Sequence, residues 1–431
     1  MKYALAVSSL VIALAACNPA SDNLDQTGSD PVLPEQSDAL LPAMNIATPE
    51  SWGDGLPTVP EGFTVSAIAE DLQLPRQMLV LPNGDLLVAE GSGGNAPSLR
   101  PKDVIAGIIK SRGTTSIEGG DRITLLRDED GDGETDLQTV FIDGLDAPYG
   151  LAMIGSTLYV ANQGNLVRFE YTEGATSIEG SGEEVTALPA RINHHWTKAM
   201  TASPDGSFLY VGIGSNSNVG ERGMDVEEDR AVIWEIDPAT GASRIYASGI
   251  RNPTDLAFNP WTQQLWAVVN ERDELGPELV PDYLTSVQDG AFYGWPYSYW
   301  GQTIDPRIRP QRPELVRRAV VPDYALGSHV APLGLSFVAD GGLGRNFTDG
   351  ALVGQHGSWN RSDLAGYRVV FIPYRNGRPV GDPIDFLTGF IEDGQARGRP
   401  VGVTYDPAHQ VVYVADDLSN TVWRVAPVAS D

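Results

Sequence analysis

The chain has little that could cross-link it and little positive charge. Its 431 residues hold one cysteine, Cys17, so no disulfide can form within the chain. Lysine occurs only at Lys2, Lys102, Lys110 and Lys198, and Lys plus Arg number 29 against 57 for Asp plus Glu. The formal charge of −28 repels nucleic acid and anionic lipid, which excludes a nucleic-acid partner and suits solubility outside the cytoplasm. With so few lysines, a buried cationic site has to rely mainly on arginine. Helical periodicity is nearly absent, and the apolar run Ala4 to Ala16 is too short to remain as a spanning helix.

That run follows Lys2 and ends in Leu14-Ala15-Ala16-Cys17, the pattern of a lipoprotein signal peptide over residues 1–16. Cys17 is then the residue that carries the lipid, and an anchor of two or more acyl chains holds a protein stably on a membrane. Asn18, rather than Asp, after the cysteine leans towards the outer membrane. The expected location is the bacterial cell envelope, on the periplasmic face of the outer membrane. Residues 17–50 are rich in Ser, Asp, Pro and Ala without periodicity, which predicts a flexible, disordered tether. Residues 51–431 form the folded domain.

Within that domain one pattern recurs six times, an apolar lead-in, a tight turn and a β-rich run. The copies are Leu79–Ala89, Leu151–Ala161, Met200–Val211, Leu256–Val268, Leu333–Val353 and Val403–Asp416. Asn-Gly, Asp-Gly or Pro-containing turns between β-branched and aromatic residues mark each as a hairpin. Six irregularly spaced hairpins predict an all-β, six-bladed β-propeller, with seven blades or a solenoid as the alternatives that the uneven spacing leaves open. In that architecture the loops before the inner strands share one face around the channel, so groups distant in sequence converge there.

Those loops carry the chemistry. Asn193-His194-His195-Trp196 precedes the third hairpin, and His195 is the candidate general base, with His194 orienting it. Gly249-Ile250-Arg251-Asn252-Pro253 precedes the fourth, placing a cation and an amide at its mouth. Asn270-Glu271-Arg272-Asp273-Glu274 follows that strand and packs hard oxygen donors suited to Ca²⁺. Arg397 and Arg399 precede the sixth, spaced to deliver two guanidinium groups to one multiply anionic ligand. The run Asp128-Glu129-Asp130-Gly131-Asp132-Gly133 has a Ca²⁺-loop flavour. Thr139 stands where an EF-hand needs its bidentate Glu, so a hairpin turn or a shallow structural Ca²⁺ site is expected. Trp295 and Trp359 read as core more readily than as ligand platforms.

These segments together resemble the glucose/sorbosone dehydrogenase family, six-bladed propeller enzymes that use pyrroloquinoline quinone (PQQ). The resemblance runs from about residue 55 to 427 and is most specific at His195, Arg251-Asn252-Pro253, Asn270–Asp273, Tyr293-Gly294-Trp295-Pro296 and Arg397-Gly398-Arg399-Pro400. Asn270–Asp273 and Gly357–Arg361 look closest to the sorbosone dehydrogenase branch. The resemblance implies PQQ and Ca²⁺ as cofactors and an aldose or sugar-derived aldehyde such as L-sorbosone as substrate. It also implies a quinone or periplasmic carrier as electron acceptor. His195 would take the substrate's proton, and Arg251 and Asn252 would face the quinone, Arg251 also stabilising charge on the reduced cofactor. Arg397 and Arg399 would hold cofactor carboxylates, and Glu271, Asp273 and Glu274 would hold Ca²⁺. The chain departs from the soluble glucose dehydrogenases at Tyr149, where they have Gln, and it lacks their fifth-blade Lys, for which His356 or Arg361 stands in. Their calcium-binding Gly-Pro carbonyls align with Asp273-Glu274. Two other readings are a Ca²⁺-dependent propeller lactonase and a non-enzymatic binding propeller of the envelope.

Overall fold

The computed structural model describes residues 26–428 apart from 38, 40, 41, 95, 99, 100 and 345; the expected signal peptide and Cys17 lie outside them. Six antiparallel sheets of four or more strands follow one another along the chain. Their innermost strands are Pro75–Val80, Gly150–Ile154, Met200–Ala202, Pro253–Phe258, Pro332–Val338 and Pro400–Asp406, opening blades 1 to 6. Each packs against the next, and that of blade 6 returns to blade 1, which closes a six-bladed propeller. The six predicted hairpins are the two inner strands of the six blades.

The second strands explain why the hairpins were legible. Leu86–Glu90, Leu209–Ile213, Leu265–Val269 and Gly350–Gln355 are buried at every residue, because a neighbouring blade covers each face. Such strands read as continuous apolar runs rather than as alternation. Between blades 4 and 5, Trp266 is wholly buried and meets Tyr374 at 5.4 Å and Phe337 at 6.3 Å between ring centroids. Around the axis the inner strands come too close for a side chain. A Cβ on Gly334 would lie 2.3 Å from the Val401 carbonyl, and one on Gly402 would lie 2.4 Å from that of Arg76.

Closure uses both ends of the folded domain. Blade 6 takes three strands from the C-terminal part, and its outermost strand is Phe63–Ala69, which pairs with Thr421–Pro427 in the register Val65 to Val425.

The stretch expected to be a free tether lies on the propeller instead over its described part. Thr27–Gly28 extends blade 4 by pairing with Tyr324–Ser328, and Thr48–Pro49 pairs in parallel with Gln395–Ala396. Between them Ser37 N donates to Leu275 O at 2.6 Å and Asn45 N to Trp359 O at 3.0 Å. Ala47 is buried in the core. The composition misleads because backbone bonds to existing strand edges and loops, with few apolar anchors, hold this strap. Strap and closing strand both tie the start of the domain to its far end.

In blade 1 an insertion breaks the pattern. Between the second and third strands of blade 1, the chain forms the helix Pro101–Lys110, followed by the turn Ser111–Gly113. It lies on the face that also carries the loops before the inner strands, because a second strand ends where an inner strand begins.

A chain shortened to begin at residue 70 leaves Thr421–Pro427 with an open edge. It is expected to lose the single cooperative unfolding transition in a thermal melt followed by circular dichroism, whereas an unchanged melt would show that the closing strand is dispensable.

Candidate functional site

The face built from these loops holds a cavity of about 230 Å³ at the channel mouth. Blade 1 contributes Asp103 and Lys110 from its inserted helix, and blade 3 contributes His194, Asn218, Glu221 and Arg222. Arg251, Asp273 and Glu274 come from blade 4, and Trp359 from blade 5.

Asn218 organises the floor. Its side-chain amide pairs both ways with the backbone of Asp273, donating to Asp273 O at 3.0 Å and accepting from Asp273 N at 2.9 Å. Its own carbonyl accepts from Trp295 Nε1 at 2.9 Å. Arg251, only 3% exposed, clamps the same residue. Its Nη2 donates to Asn218 Oδ1 at 3.0 Å and its Nε to Asn218 O at 3.2 Å. Its Nη1 reaches Asn270 O at 3.1 Å and Glu271 O at 2.7 Å, and Nη2 lies 3.7 Å from Asp273 Oδ2. Arg251 therefore lines the cavity, with its donors directed at oxygens of two loops.

His195 sits behind His194, the rings edge-on at 4.7 Å. Its Nδ1 lies 2.8 Å from the Ser215 carbonyl, which can only accept, so Nδ1 carries the proton and Nε2 keeps its lone pair. Burial, and then the positive charge of Arg251, hold His195 well below the ordinary histidine range. His194 is exposed on the cavity wall. Desolvation in the crowded mouth, followed by the charges of Lys110, Arg251 and Arg222, brings it down to about 4. Both rings are neutral at pH 7. Asn252 lies alongside, its buried Oδ1 without a partner, and a Cβ on Gly214 would fall 2.2 Å from that oxygen and 2.5 Å from His195 Cβ. Only glycine allows the approach.

The three acidic residues predicted to bind Ca²⁺ do not act together. Glu271 turns inward, where its Oε2 accepts from Arg272 N at 3.0 Å, and burial raises it to about 7. Asp273 and Glu274 line the cavity. Although burial opposes it, the hydrogen bond from His329 and the charge of Arg251 hold Asp273 far below the usual carboxylate range. Among the described residues, the group of three or more possible metal ligands that converges is Asp128, Asp130 and Asp136, all exposed. There Asp128 accepts from Gly131 N and Gly133 N at 2.7 and 2.8 Å, so the acidic run forms the hairpin turn that was one of its two readings.

The arginine pair also separates. Arg397 pairs with Glu392 and points towards Glu50 and Trp52, away from the mouth. Arg399 turns towards the mouth, where it donates to the carbonyls of His356 at 3.0 Å, Gly357 at 3.0 Å and Gly113 at 3.3 Å. The alternation that was to align them requires a strand, and the strand begins only at Pro400. Arg361 pairs with Glu278 at 2.8 Å, and His356 with Asp417 at 2.8 Å, so neither reaches the cavity. Tyr149 is 1% exposed and lies under Trp196 at 5.6 Å, its hydroxyl donating to Thr254 O at 3.1 Å. Trp359, read as core, instead faces the cavity, with the Lys110 ammonium 3.7 Å from its ring centroid.

Comparison with known proteins fits this geometry. The TrAA12-like family model matches residues 57–282 and 315–427, well over half of the chain. The chain belongs to the TrAA12-like family. An uncharacterised protein of Borreliella burgdorferi is 29% identical over 223 residues, covering 50% of this chain and 56% of its own. The aldose sugar dehydrogenase YliI of Escherichia coli is 28% identical over 144 residues, covering 30% of this chain and 37% of its own. The chain thus matches about half the length, or less, of these curated relatives. Among solved structures, the calcium structure of the Trichoderma reesei family AA12 enzyme superposes with a TM-score of 0.70 at 19% identity, covering 90% of this chain and 99% of that one. The holo PQQ domain of Coprinopsis cinerea pyranose dehydrogenase gives 0.66 at 19% identity, covering 91% and 100%. These two likenesses carry the fold.

The family model omits residues 26–50 and 283–314, and these two pieces pack together beside the cavity. Gln36 Nε2 donates to Tyr299 Oη at 2.9 Å, Arg307 Nη2 donates to Ser37 O at 2.8 Å, and Leu33 joins Leu275, Leu279 and Tyr299 in a small apolar cluster. The residues the sequence reading passed over are Asn218, Glu221, Arg222 and Lys110. No motif marks the first three; the scarcity of lysine was the one signal for Lys110.

Replacing Arg251 by Met removes a donor from four buried oxygens; Asn218 O and Oδ1 keep Trp295 Nε1 and Asp273 N, and the carbonyls of Asn270 and Glu271 are orphaned. The variant is expected to lose about 2–4 kcal/mol in urea unfolding, since each orphaned buried acceptor costs about 1–3 kcal/mol. A midpoint within error of the parent would show that the clamp is not needed.

Proposed function

We propose that the chain is a PQQ-dependent oxidoreductase that oxidises a sugar, an aldose or a sugar-derived aldehyde. The observation that carries this reading is the neutral His194–His195 pair, with Nε2 of His195 kept as a proton acceptor, beside a cavity lined by Lys110, Arg222 and Arg251 on a strongly acidic protein. The names of the relatives point the same way, towards PQQ and towards sugars.

The residues present fit a flat polyanionic cofactor. Trp359 offers a ring face, and the buried Arg222 Nε has no partner and can donate to a carboxylate. For Ca²⁺, the carboxylates at the cavity are Asp103, Glu221, Asp273 and Glu274, and Glu271 does not line it. When bound, PQQ supplies a two-electron acceptor and Ca²⁺ the charge that polarises it. His195 accepts the proton of the substrate hydroxyl, or aldehyde hydrate, at Nε2, and the Ser215 carbonyl stabilises the imidazolium through Nδ1. Arg251 fixes the loops that carry Asn218 and Asp273, so that the base and the cavity floor hold one geometry. Lipidation at Cys17, attachment to the outer membrane and transfer of electrons to a quinone or periplasmic carrier belong to the same proposal.

Purified protein with PQQ and Ca²⁺ is expected to reduce an artificial dye when given aldoses. His195→Gln should lower turnover by about 100-fold or more while PQQ binding persists. Because the folded state holds His195 below its ordinary range, the acid limb of the kcat profile should lie below pH 6.5, the base being lost only as pH falls through its lowered value. Lactone hydrolysis without PQQ, or full turnover by His195→Gln, would contradict the proposal.

A further inference from the structure

The cavity has to meet a ligand with several carboxylates, and the arginines that looked ready to do so are already engaged. Arg251 directs Nε, Nη1 and Nη2 at oxygens of Asn218, Asn270 and Glu271. Arg399 directs the same three nitrogens at His356, Gly357 and Gly113. Freeing either would orphan buried carbonyls, which costs more than one new ion pair returns. Arg222 keeps its Nε without a partner but is held to Pro97 O through Nη2, and a cation that can turn freely to a ligand must be held otherwise.

Lys110 meets that requirement. It ends the helix Pro101–Lys110, and its ammonium lies over the Trp359 ring at 3.7 Å, within the field of Asp273, Glu274, Arg251 and Arg399. A lysine ammonium carries three donors on a flexible stem, so it can leave a ring face for a carboxylate by rotation alone. The helix itself is lightly held. Val104, Ile105 and Ile108 are 51%, 41% and 55% exposed, so its apolar side chains contribute little to docking. It is fastened at its end, where Arg399 Nη1 reaches Gly113 O and Ile46 of the strap lies against Gly113, 2.5 Å from where a Cβ would stand. A segment with few buried apolar contacts opens at low cost.

We propose that Lys110 is the residue of this cavity that binds a ligand carboxylate, resting on Trp359 until the ligand arrives. The inserted helix of blade 1 is thereby part of the binding site rather than a surface decoration. This inference rests on the reading of the cavity as the PQQ site, and it names the side chain that reading leaves to be found.

The test is calorimetric titration of the full chain in Ca²⁺ buffer with two probes. One is PQQ; the other is benzene-1,3,5-tricarboxylate, a planar tricarboxylate without a quinone. Lys110→Met is expected to weaken both by about 10–100-fold, the range for loss of a charge-assisted bond. Lys110→Arg should recover most of the affinity, and an unchanged thermal melt shows that both variants fold. Binding by the parent should weaken as salt rises, with a shallower dependence in Lys110→Met. If the parent binds PQQ and Lys110→Met binds it equally well, the role of Lys110 is overturned and the cofactor site stands. If the parent binds only the tricarboxylate and Lys110→Met does not, Lys110 is upheld and the PQQ reading falls. If the parent binds neither probe, both fall.

Discussion

The ring closes because Phe63–Ala69 completes blade 6, and the site depends on that closure. A propeller has no sheet edge around its axis, so each inner strand is fixed by two neighbours and each loop before it arrives at a set place on one face. His194, Arg251 and Arg399 are separated by long stretches of chain, yet all reach that face from blades 3, 4 and 6. The close packing at Gly334 and Gly402 is the same constraint seen from the axis. Interaction between distant parts of the chain is what makes the mouth rigid enough to hold a defined cavity.

Charge is the second organising theme. At −28 the protein is acidic overall, but its mouth gathers Lys110, Arg222, Arg251 and Arg399 beside Asp273 and Glu274. Most of the guanidinium donors go to backbone oxygens, so the arginines hold loops in place while leaving a positive field over the cavity. Desolvation, with that field added to it, explains why two adjacent histidines stay neutral. A neutral imidazole with one nitrogen tied to a carbonyl accepts protons and does not repel a cationic neighbour. Around this, the strap at residues 26–50 and the segment at 283–314, both outside the stretch that the family model matches, lock together beside the cavity.

Much of the fold was legible because the second strands are buried on both faces and the turns between inner strands are tight. Leu86–Glu90 and Leu265–Val269 announce themselves as apolar runs. The strap was misread because backbone pairing at sheet edges leaves no hydrophobic signature. At the site, His195 and Arg251 were found from their place ahead of inner strands. Glu271 was assigned from the oxygen donors packed into its loop and Arg397 from its spacing to Arg399, and each turns away: Glu271 into its own loop, Arg397 to Glu392. Lys110 and Asn218 were missed because what brings them to the cavity is tertiary, a helix inserted in one blade and a loop in another.

The central claim is that one mouth cavity, walled by blades 1, 3, 4 and 5, is the cofactor site of a sugar oxidoreductase. A crystal structure of the full chain soaked with PQQ and Ca²⁺ tests it most directly. The account predicts density for a planar tricarboxylate beside Trp359, with Lys110 turned from the ring to a carboxylate and the His194–His195 pair alongside. Density elsewhere on the propeller, or a cavity left as it is with Lys110 still on Trp359, would contradict it.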